Sequence, residues 1–491
     1  MIIETNQACD LVIFGAKGDL SKRKLLPALY KLEKSNRMHK NTRIIGAGRA
    51  DWNIPEYIKI AKTAIENFLN EKIDSVIWKK FSSRLNFCNI DVYEKLHFIR
   101  LQKILDQKKN TIIYYCAMPP HTLNSIFIGL KNANLNPQSS RIILEKPLGS
   151  CLKTSKIINN QISQYFSESQ IFRIDHYLGK EAILNLLALR FANSFFFHCW
   201  NNNVIDHIQI TVSEEVGIEG RWSYFDTTGQ MKDMVQNHLL QILAIITMEQ
   251  PKNLTAKNVQ NEKLKILRSL KTINEKNIST HTVRGQYSEG YIKGKNVPSY
   301  LKEEGANQNS QTETFVAIKV NIENKKWFGV PFYLRTGKRL RYKYSEIVVV
   351  FKKIPVNLFK NSNLREFQNK LIIRLEPNEN IKIDFLNKMP GLNSEYKLEN
   401  SQFESNYFSK KNSKNLIDAY ERLLLESMRG KQSLFVSREE IEESWKWIDP
   451  IINAWKKTKN SNIQLYQSGT WGPENSNLLL FNDNRVWYEF N

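Results

Sequence analysis

In the first third of the chain the apolar positions fall into two alternating patterns. Short apolar or β-branched runs read as strands buried on both faces: Leu11 to Phe14 (LVIF), Arg43 to Ala47 (RIIGA), Leu85 to Ile90 (LNFCNI), Thr111 to Met118 (TIIYYCAM) and Arg141 to Leu144 (RIIL). Between them lie longer stretches with helical spacing, such as Tyr57 to Asn70 and Tyr93 to Gln107. Strands alternating with helices imply βαβ units and a parallel sheet covered on both sides. After about residue 175 the pattern changes to longer strands with period-two alternation: Asp206 to Ser213, Thr314 to Asn321, Glu346 to Phe351, Leu371 to Leu375 and Ile381 to Leu386. They lack regular helical crossovers, which predicts a mostly antiparallel sheet with helices on one side. Two strongly patterned helices, Ile417 to Arg429 and Arg438 to Trp455, close the chain, and no repeat of solenoid length is present.

Composition narrows the class. A chain of 491 residues, 41% of them hydrophobic, has material for two or three cored domains. The five cysteines (Cys9, Cys88, Cys116, Cys151, Cys199) are widely spaced and form no CxxC or Cys/His cluster, so no metal site is expected and a reducing, cytoplasmic setting is. The N-terminus MIIETNQACD lacks the features of a signal peptide, and no apolar run approaches the ~18 residues of a membrane span. A net charge of +22 raises the question of nucleic acid. The lysines are scattered instead of clustered in an arm or helix stripe, which favours attraction of small anionic substrates, with no nucleic-acid or membrane partner.

Candidate chemistry begins at the end of the first strand. Gly15-Ala16-Lys17-Gly18-Asp19-Leu20 leads into a helix-like stretch, a loosened GxGxxG whose glycines let backbone amides approach a pyrophosphate. Pro27 is a misfit for a helix starting near Leu20 and calls for a short first turn or a kink. The second strand ends in Gly46-Ala47-Gly48-Arg49, where an arginine can pair with the 2′-phosphate of NADP; the alternative is a solvated surface arginine. Glu145-Lys146-Pro147 closes the fifth strand and aims a lysine at the ligand crevice. The expected fold class is thus α/β plus α+β. A Rossmann-like dinucleotide-binding domain covers residues 1–175, and a larger domain with a mostly antiparallel sheet and helices covers 176–491.

Removing hydride from an alcohol carbon requires a base for the hydroxyl proton, and histidine suits. Of the eight histidines, His39, His97, His121, His198, His207 and His281 have no functional groups patterned around them. His176 lies in RIDHYLGKE (Arg173 to Glu181); if a helix starts there, His176 and Lys180 at i and i+4 share a face and grip a phosphate, with Tyr177 as a neutral donor. His238 lies in the amphipathic run GQMKDMVQNHLLQ (Gly229 to Gln241), where a histidine is otherwise structural.

Taken together, GAKGDL, EKPLG, RIDHYLGKE, EEVGIEGR, GQMKDMVQNHLLQ, PFYLRTGKRL, AYERLLLESMRG and YQSGTWGP come in the order and spacing of glucose-6-phosphate dehydrogenases of bacterial type, and the resemblance spans nearly the whole chain. It implies oxidation of D-glucose 6-phosphate to 6-phospho-D-glucono-1,5-lactone with hydride transfer to NADP, the first step of the oxidative pentose phosphate pathway. It also implies a homodimer or homotetramer built on the second domain. By resemblance His238 is the catalytic base and Asp175 the carboxylate that orients it, while His176, Tyr177 and Lys180 hold the phosphate. Glu214 and Asp233 match acceptors for sugar hydroxyls, and Lys338 and Lys343 match cationic substrate contacts. Phe14, Gly15, Ala16, Lys17, Gly18, Asp19, Leu20 and Ser21 resemble the diphosphate loop, Arg49 the 2′-phosphate reader, and Asp91 with Val92 an adenine-side contact. Lys146 resembles the lysine that reaches both cofactor and substrate, and Pro147 a proline with a cis peptide. Lys17 and Ser21 stand where many relatives have a small residue, and no catalytic position is replaced. Asp233 and His238 are five residues apart, on different faces of an ideal α-helix. A dehydrogenase for another sugar and a basic nucleic-acid protein remain the rival readings.

Overall fold

The computed structural model describes residues 7–69, 71–355, 358–359, 367–391, 397–406, 417–457 and 463–489. Asn70, the expected end of one helix, lies outside them. The chain forms two compact units: Met1–Glu181 with Pro251–Asn261 and Leu416–Glu442, and Ala182–Gln250 with Glu262–Asn415 and Glu443–Asn491. The sequence suggests a single cut after residue 175, whereas the first unit also takes back two later segments. The reason is apolar: the helix Ala419–Arg429 buries Leu423, Leu424 and Met428 in the same cluster as Leu11, Ile13 and Leu29 of the first sheet and its helices.

The first unit is built on six parallel strands: β1 (Cys9–Phe14), β2 (Arg43–Gly48), β3 (Leu85–Asn89), β4 (Thr111–Cys116), β5 (Arg141–Leu144) and β6 (Ile171–Arg173), in the order β3-β2-β1-β4-β5-β6. The five expected strands are present, and the short β6 is a sixth. Alternate residues of β1 serve opposite layers, Leu11 and Ile13 packing with Leu25, Leu29 and Phe81, Val12 and Phe14 with Phe98, Ile126 and Phe127. That two-sided burial is why these strands read as continuous apolar runs. The strand order reverses at β1 and β4, opening a crevice at their carboxyl ends. Pro27 is accommodated by widening the helix ahead of it: Ser21–Leu25 winds as a π-helix in which the Leu26 amide donates to the Ser21 carbonyl, before the α-helix Leu26–Lys34 resumes.

Among the described residues the large sheet of the second unit has nine strands: β7 (Ile205–Ser213), β8 (Thr282–Ser288), β11 (Phe315–Asn321), β12 (Pro331–Gly337), β13 (Tyr344–Phe351), β14 (Lys370–Glu376), β15 (Asn380–Lys388), β16 (Leu398–Asn406) and β17 (Gln464–Gln467). A small separate hairpin contributes β9 (Gly290–Ile292) and β10 (Lys295–Val297). The large sheet runs β16-β15-β14-β13-β7-β12-β11-β8-β17 and is mostly antiparallel, with two parallel pairings, β7 with β12 and β8 with β17. The central β12 has no counterpart among the expected strands because it opens on proline, closes on glycine and carries a buried Arg335. Polar β16 (LENSQFESN) shows no apolar alternation and sits at the sheet edge. Among the described residues no helix is long and apolar enough to cross a membrane, and no group of three or more His, Cys, Asp or Glu side chains is placed to hold a metal ion.

One buried polar cluster in this sheet has a pH signature. Glu346 on β13, 1% exposed, accepts the Tyr344 hydroxyl and lies 3.8 Å from Arg374, while Arg335 is packed between Trp471 and Trp487 at 4.9 and 4.3 Å from their ring centres. Burial outweighs these partners and pushes the Glu346 carboxyl up to about 7. The folded protein therefore keeps a proton there that the unfolded chain has released, so stability falls as pH rises from the ordinary carboxylate range to about 7. The loss expected over that window is on the order of 3 kcal/mol. Urea denaturation at pH 5 and pH 8 should show this drop for the wild type and a flatter dependence for Glu346→Gln; equal slopes would remove Glu346 as the cause.

Candidate active site

In the first unit the residues expected to hold a dinucleotide lie at the carboxyl ends of β1, β2, β3 and β5. β1 stops at Phe14 because Gly15 turns with φ +89°, and a Cβ there would stand 2.3 Å from the Ala117 carbonyl oxygen. The Gly15 and Ala16 amides donate to the Ala47 carbonyl at 3.0 and 3.2 Å, the Gly18 amide returns to Gly15 O at 2.8 Å, and Ser21 Oγ donates to the same oxygen at 2.9 Å. Lys17, Asp19 and Leu20 lie in this tight turn and the first helical turn, where amides lack intrahelical acceptors and favour an anion. Asp19 pairs with Arg23 at 2.5 Å. Arg49 is exposed just past β2 and makes no ion pair among the described residues. Asp91 caps its own turn, accepting the Tyr93 amide at 3.1 Å, while its amide donates to His97 Nδ1 at 2.9 Å and the adjacent Val92 is buried. His97 thus holds the Asp91 turn in place.

At the end of β5, Lys146 is half-buried and the Lys146–Pro147 peptide is cis, as the resemblance implies. The neighbouring Glu145 accepts the Tyr115 hydroxyl at 2.5 Å and also the Tyr420 hydroxyl, while burial pushes its carboxyl up. The Tyr420 ring lies parallel to that of His176, with centres 6.2 Å apart. Glu145 and Tyr420 are absent from the expected site residues, although both lie inside quoted motifs, EKPLG and AYERLLLESMRG.

The segment after β6 departs from the helical expectation. Asp175, 3% exposed, accepts the Tyr177 amide at 3.0 Å and so caps a single 3₁₀ turn, His176–Gly179. Lys180 is extended (φ −71°, ψ 137°), and the α-helix begins only at Glu181. His176 and Lys180 are therefore not stacked one helical turn apart. Lys180 instead sets its ammonium 4.0 Å from the centre of the Tyr177 ring, and the His176 and Tyr177 ring centres are 5.1 Å apart, so the three expected phosphate ligands still form one cluster. Gly179 is required because Ala419 O would lie 2.7 Å from a Cβ there.

In the second unit Glu214 and Lys338 follow the ends of β7 and β12. Because these strands are parallel, with Ser213 level with Gly337, both residues emerge at the same edge. Lys338 Nζ donates to Glu214 Oε2 at 2.8 Å, an ion pair whose lysine is 1% exposed. Gln230, outside the expected site, donates to Thr336 Oγ1 at 2.8 Å and to Glu214 Oε2 at 3.4 Å. It opens the helix that carries Asp233 and His238. That helix winds with π geometry over Met231–Leu239 before continuing as α-helix Leu240–Thr247. In an α-helix residues five apart lie about 140° apart around the axis, but i→i+5 bonding stacks them one turn above the other. Asp233 and His238 thus share a face, which resolves the spacing conflict seen in the sequence. His238 is fully buried, and Asp233 accepts the Tyr224 hydroxyl at a long 3.5 Å. Lys343 stands apart: it is 67% exposed and paired with Glu376.

Comparison with known proteins covers both units. Residues 12–185 match the family model "Glucose-6-phosphate dehydrogenase, NAD binding domain", and residues 187–488 match "Glucose-6-phosphate dehydrogenase, C-terminal domain". The chain is 71% identical over 490 residues to the glucose-6-phosphate 1-dehydrogenase of Buchnera aphidicola subsp. Acyrthosiphon pisum, covering 100% of both chains. It is 55% identical to that of Dickeya dadantii, covering 99% of each. A solved glucose-6-phosphate dehydrogenase in complex with its substrate glucose-6-phosphate superposes with a TM-score of 0.88 at 32% identity, covering 100% of both chains.

Proposed function

The chain belongs to the glucose-6-phosphate dehydrogenase family, and from that premise we propose how its residues carry the reaction. The enzyme oxidises D-glucose 6-phosphate at C1 to 6-phospho-D-glucono-1,5-lactone, the first step of the oxidative pentose phosphate pathway. What most supports the reading of the site is the turn after β6, where one capped segment groups His176, Tyr177 and Lys180, three side chains suited to a phosphate dianion.

His238 takes the proton of the C1 hydroxyl on its imidazole as the C1 hydrogen leaves as hydride, and Asp175 orients that ring and stabilises its charged form. His176, Tyr177 and Lys180 fix the phosphate end. Glu214 and Asp233 accept hydrogen bonds from sugar hydroxyls, and Lys338, paired with Glu214, adds positive charge. Lys146 reaches cofactor and substrate. For Lys343 the reading requires its exposed ammonium to exchange Glu376 for the substrate.

The loop from Phe14 to Ser21 suits a dinucleotide diphosphate, since it turns tightly into a helix whose leading amides lack intrahelical acceptors. The nicotinamide, when bound, supplies the hydride acceptor. We take the coenzyme to be NADP, with Arg49 on its 2′-phosphate and Asp91 and Val92 beside the adenine. The setting is the cytoplasm, and the assembly a homodimer or homotetramer.

Following absorbance at the NADPH band with glucose 6-phosphate tests the whole reading. His238→Asn should cut kcat by orders of magnitude with KM for the sugar phosphate little changed; unaltered turnover would take the base role from His238. Arg49→Leu should raise KM for NADP about tenfold or more and leave KM for NAD within about twofold, since only NADP offers the phosphate; a parallel rise for both would make Arg49 a general surface cation. Light scattering should give twice or four times the chain mass, and a monomer would refute the assembly.

A further inference from the structure

The helix bearing Asp233 and His238 has no cap of its own. Gln230 precedes it, yet its side chain makes no capping bond and is turned towards Thr336 and Glu214. The need for a cap is larger than usual here, because i→i+5 bonding leaves five leading amides without intrahelical acceptors instead of four. Glu313 meets it from a distant segment. The Gln230 amide donates to the Glu313 carbonyl at 2.9 Å, and the Met231 amide donates to Glu313 Oε1 at 3.0 Å. Gly229 makes the approach possible: its φ is +70°, and a Cβ there would lie 2.4 Å from that same carboxylate oxygen. A carboxylate at this end also complements the helix dipole. The next residue, Thr314, accepts the Lys338 amide at 2.9 Å, so one dipeptide ahead of β11 ties the helix start to the lysine at the end of β12.

We propose that Glu313 is a positioning residue of the active site: its carboxylate caps the π-wound helix in trans, sets the first turn that carries Asp233, and thereby governs discrimination of the sugar hydroxyls. The proposal rests on the assignment of Asp233 as a hydroxyl acceptor given above. Glu313 acts through the helix start it binds, and it falls in none of the sequence motifs.

The test compares kcat/KM for glucose 6-phosphate with that for its 2-deoxy and 3-deoxy analogues in the full-length protein, alongside inhibition by inorganic phosphate. Glu313→Ala should lower the preference for the parent sugar phosphate about tenfold, the size of a lost charged cap, with kcat reduced less than about threefold and phosphate inhibition unchanged. Glu313→Gln, which keeps an acceptor at the Met231 amide, should lose only about threefold. Asp233→Asn should show the full loss. Wild-type discrimination in Glu313→Ala beside a loss in Asp233→Asn overturns the capping role and leaves the site assignment standing. Wild-type discrimination in Asp233→Asn overturns both. Should Glu313→Ala fail to fold, Glu313→Gln decides: a threefold loss supports the role, and an unchanged ratio overturns it.

Discussion

The candidate site residues of the second unit depend for their placement on the parallel pairing of β7 with β12. In an antiparallel pair the residues following the two strands leave at opposite ends of the sheet. Here Glu214 and Lys338 leave side by side, with the Glu214 amide donating to the Gly337 carbonyl at 2.9 Å. A lysine 1% exposed would be costly without a partner, and Glu214 at 2.8 Å offsets that cost. Gln230 binds into the same edge through Thr336, so the helix that follows begins where the sheet dictates.

Winding then decides which side chains cooperate. An α-helix through Met231–Leu239 would turn Asp233 away from His238, and the π form brings them onto one face. The first unit uses the same device elsewhere, in Ser21–Leu25, where the wider turn makes room for Pro27 behind the glycine-bearing turn after β1. Both are local departures from ideal geometry beside candidate binding residues. In each, a glycine with positive φ stands at the approach, Gly15 in one and Gly229 in the other.

The first unit carries its candidate site residues at the carboxyl ends of parallel strands, the rule for ligand crevices in open α/β sheets. Phe14 to Ser21, Arg49 and Lys146 follow β1, β2 and β5, and the Asp175 turn follows β6. The tyrosine layer behind them was hidden from inspection of the sequence. Tyr115 comes from β4 and Tyr420 from the returning helix, and only folding brings both hydroxyls to Glu145.

Apolar periodicity alone determined the parallel sheet, most of the antiparallel strands and the two closing helices, because burial of alternate or successive residues is written directly into side-chain polarity. Motif order determined the family, and it nominated His176, Lys180, His238 and Glu214 as candidate site residues. Tertiary structure decided what depends on partners remote in sequence. The extended Lys180 and its seat over Tyr177 follow from the Asp175 cap, and the strand β12 follows from neighbours that bury its Arg335. The common face of Asp233 and His238 and the cap from Glu313 arise from backbone hydrogen bonds whose acceptors are chosen by packing. A sequence fixes the donors a segment carries, while the fold decides which acceptors reach them.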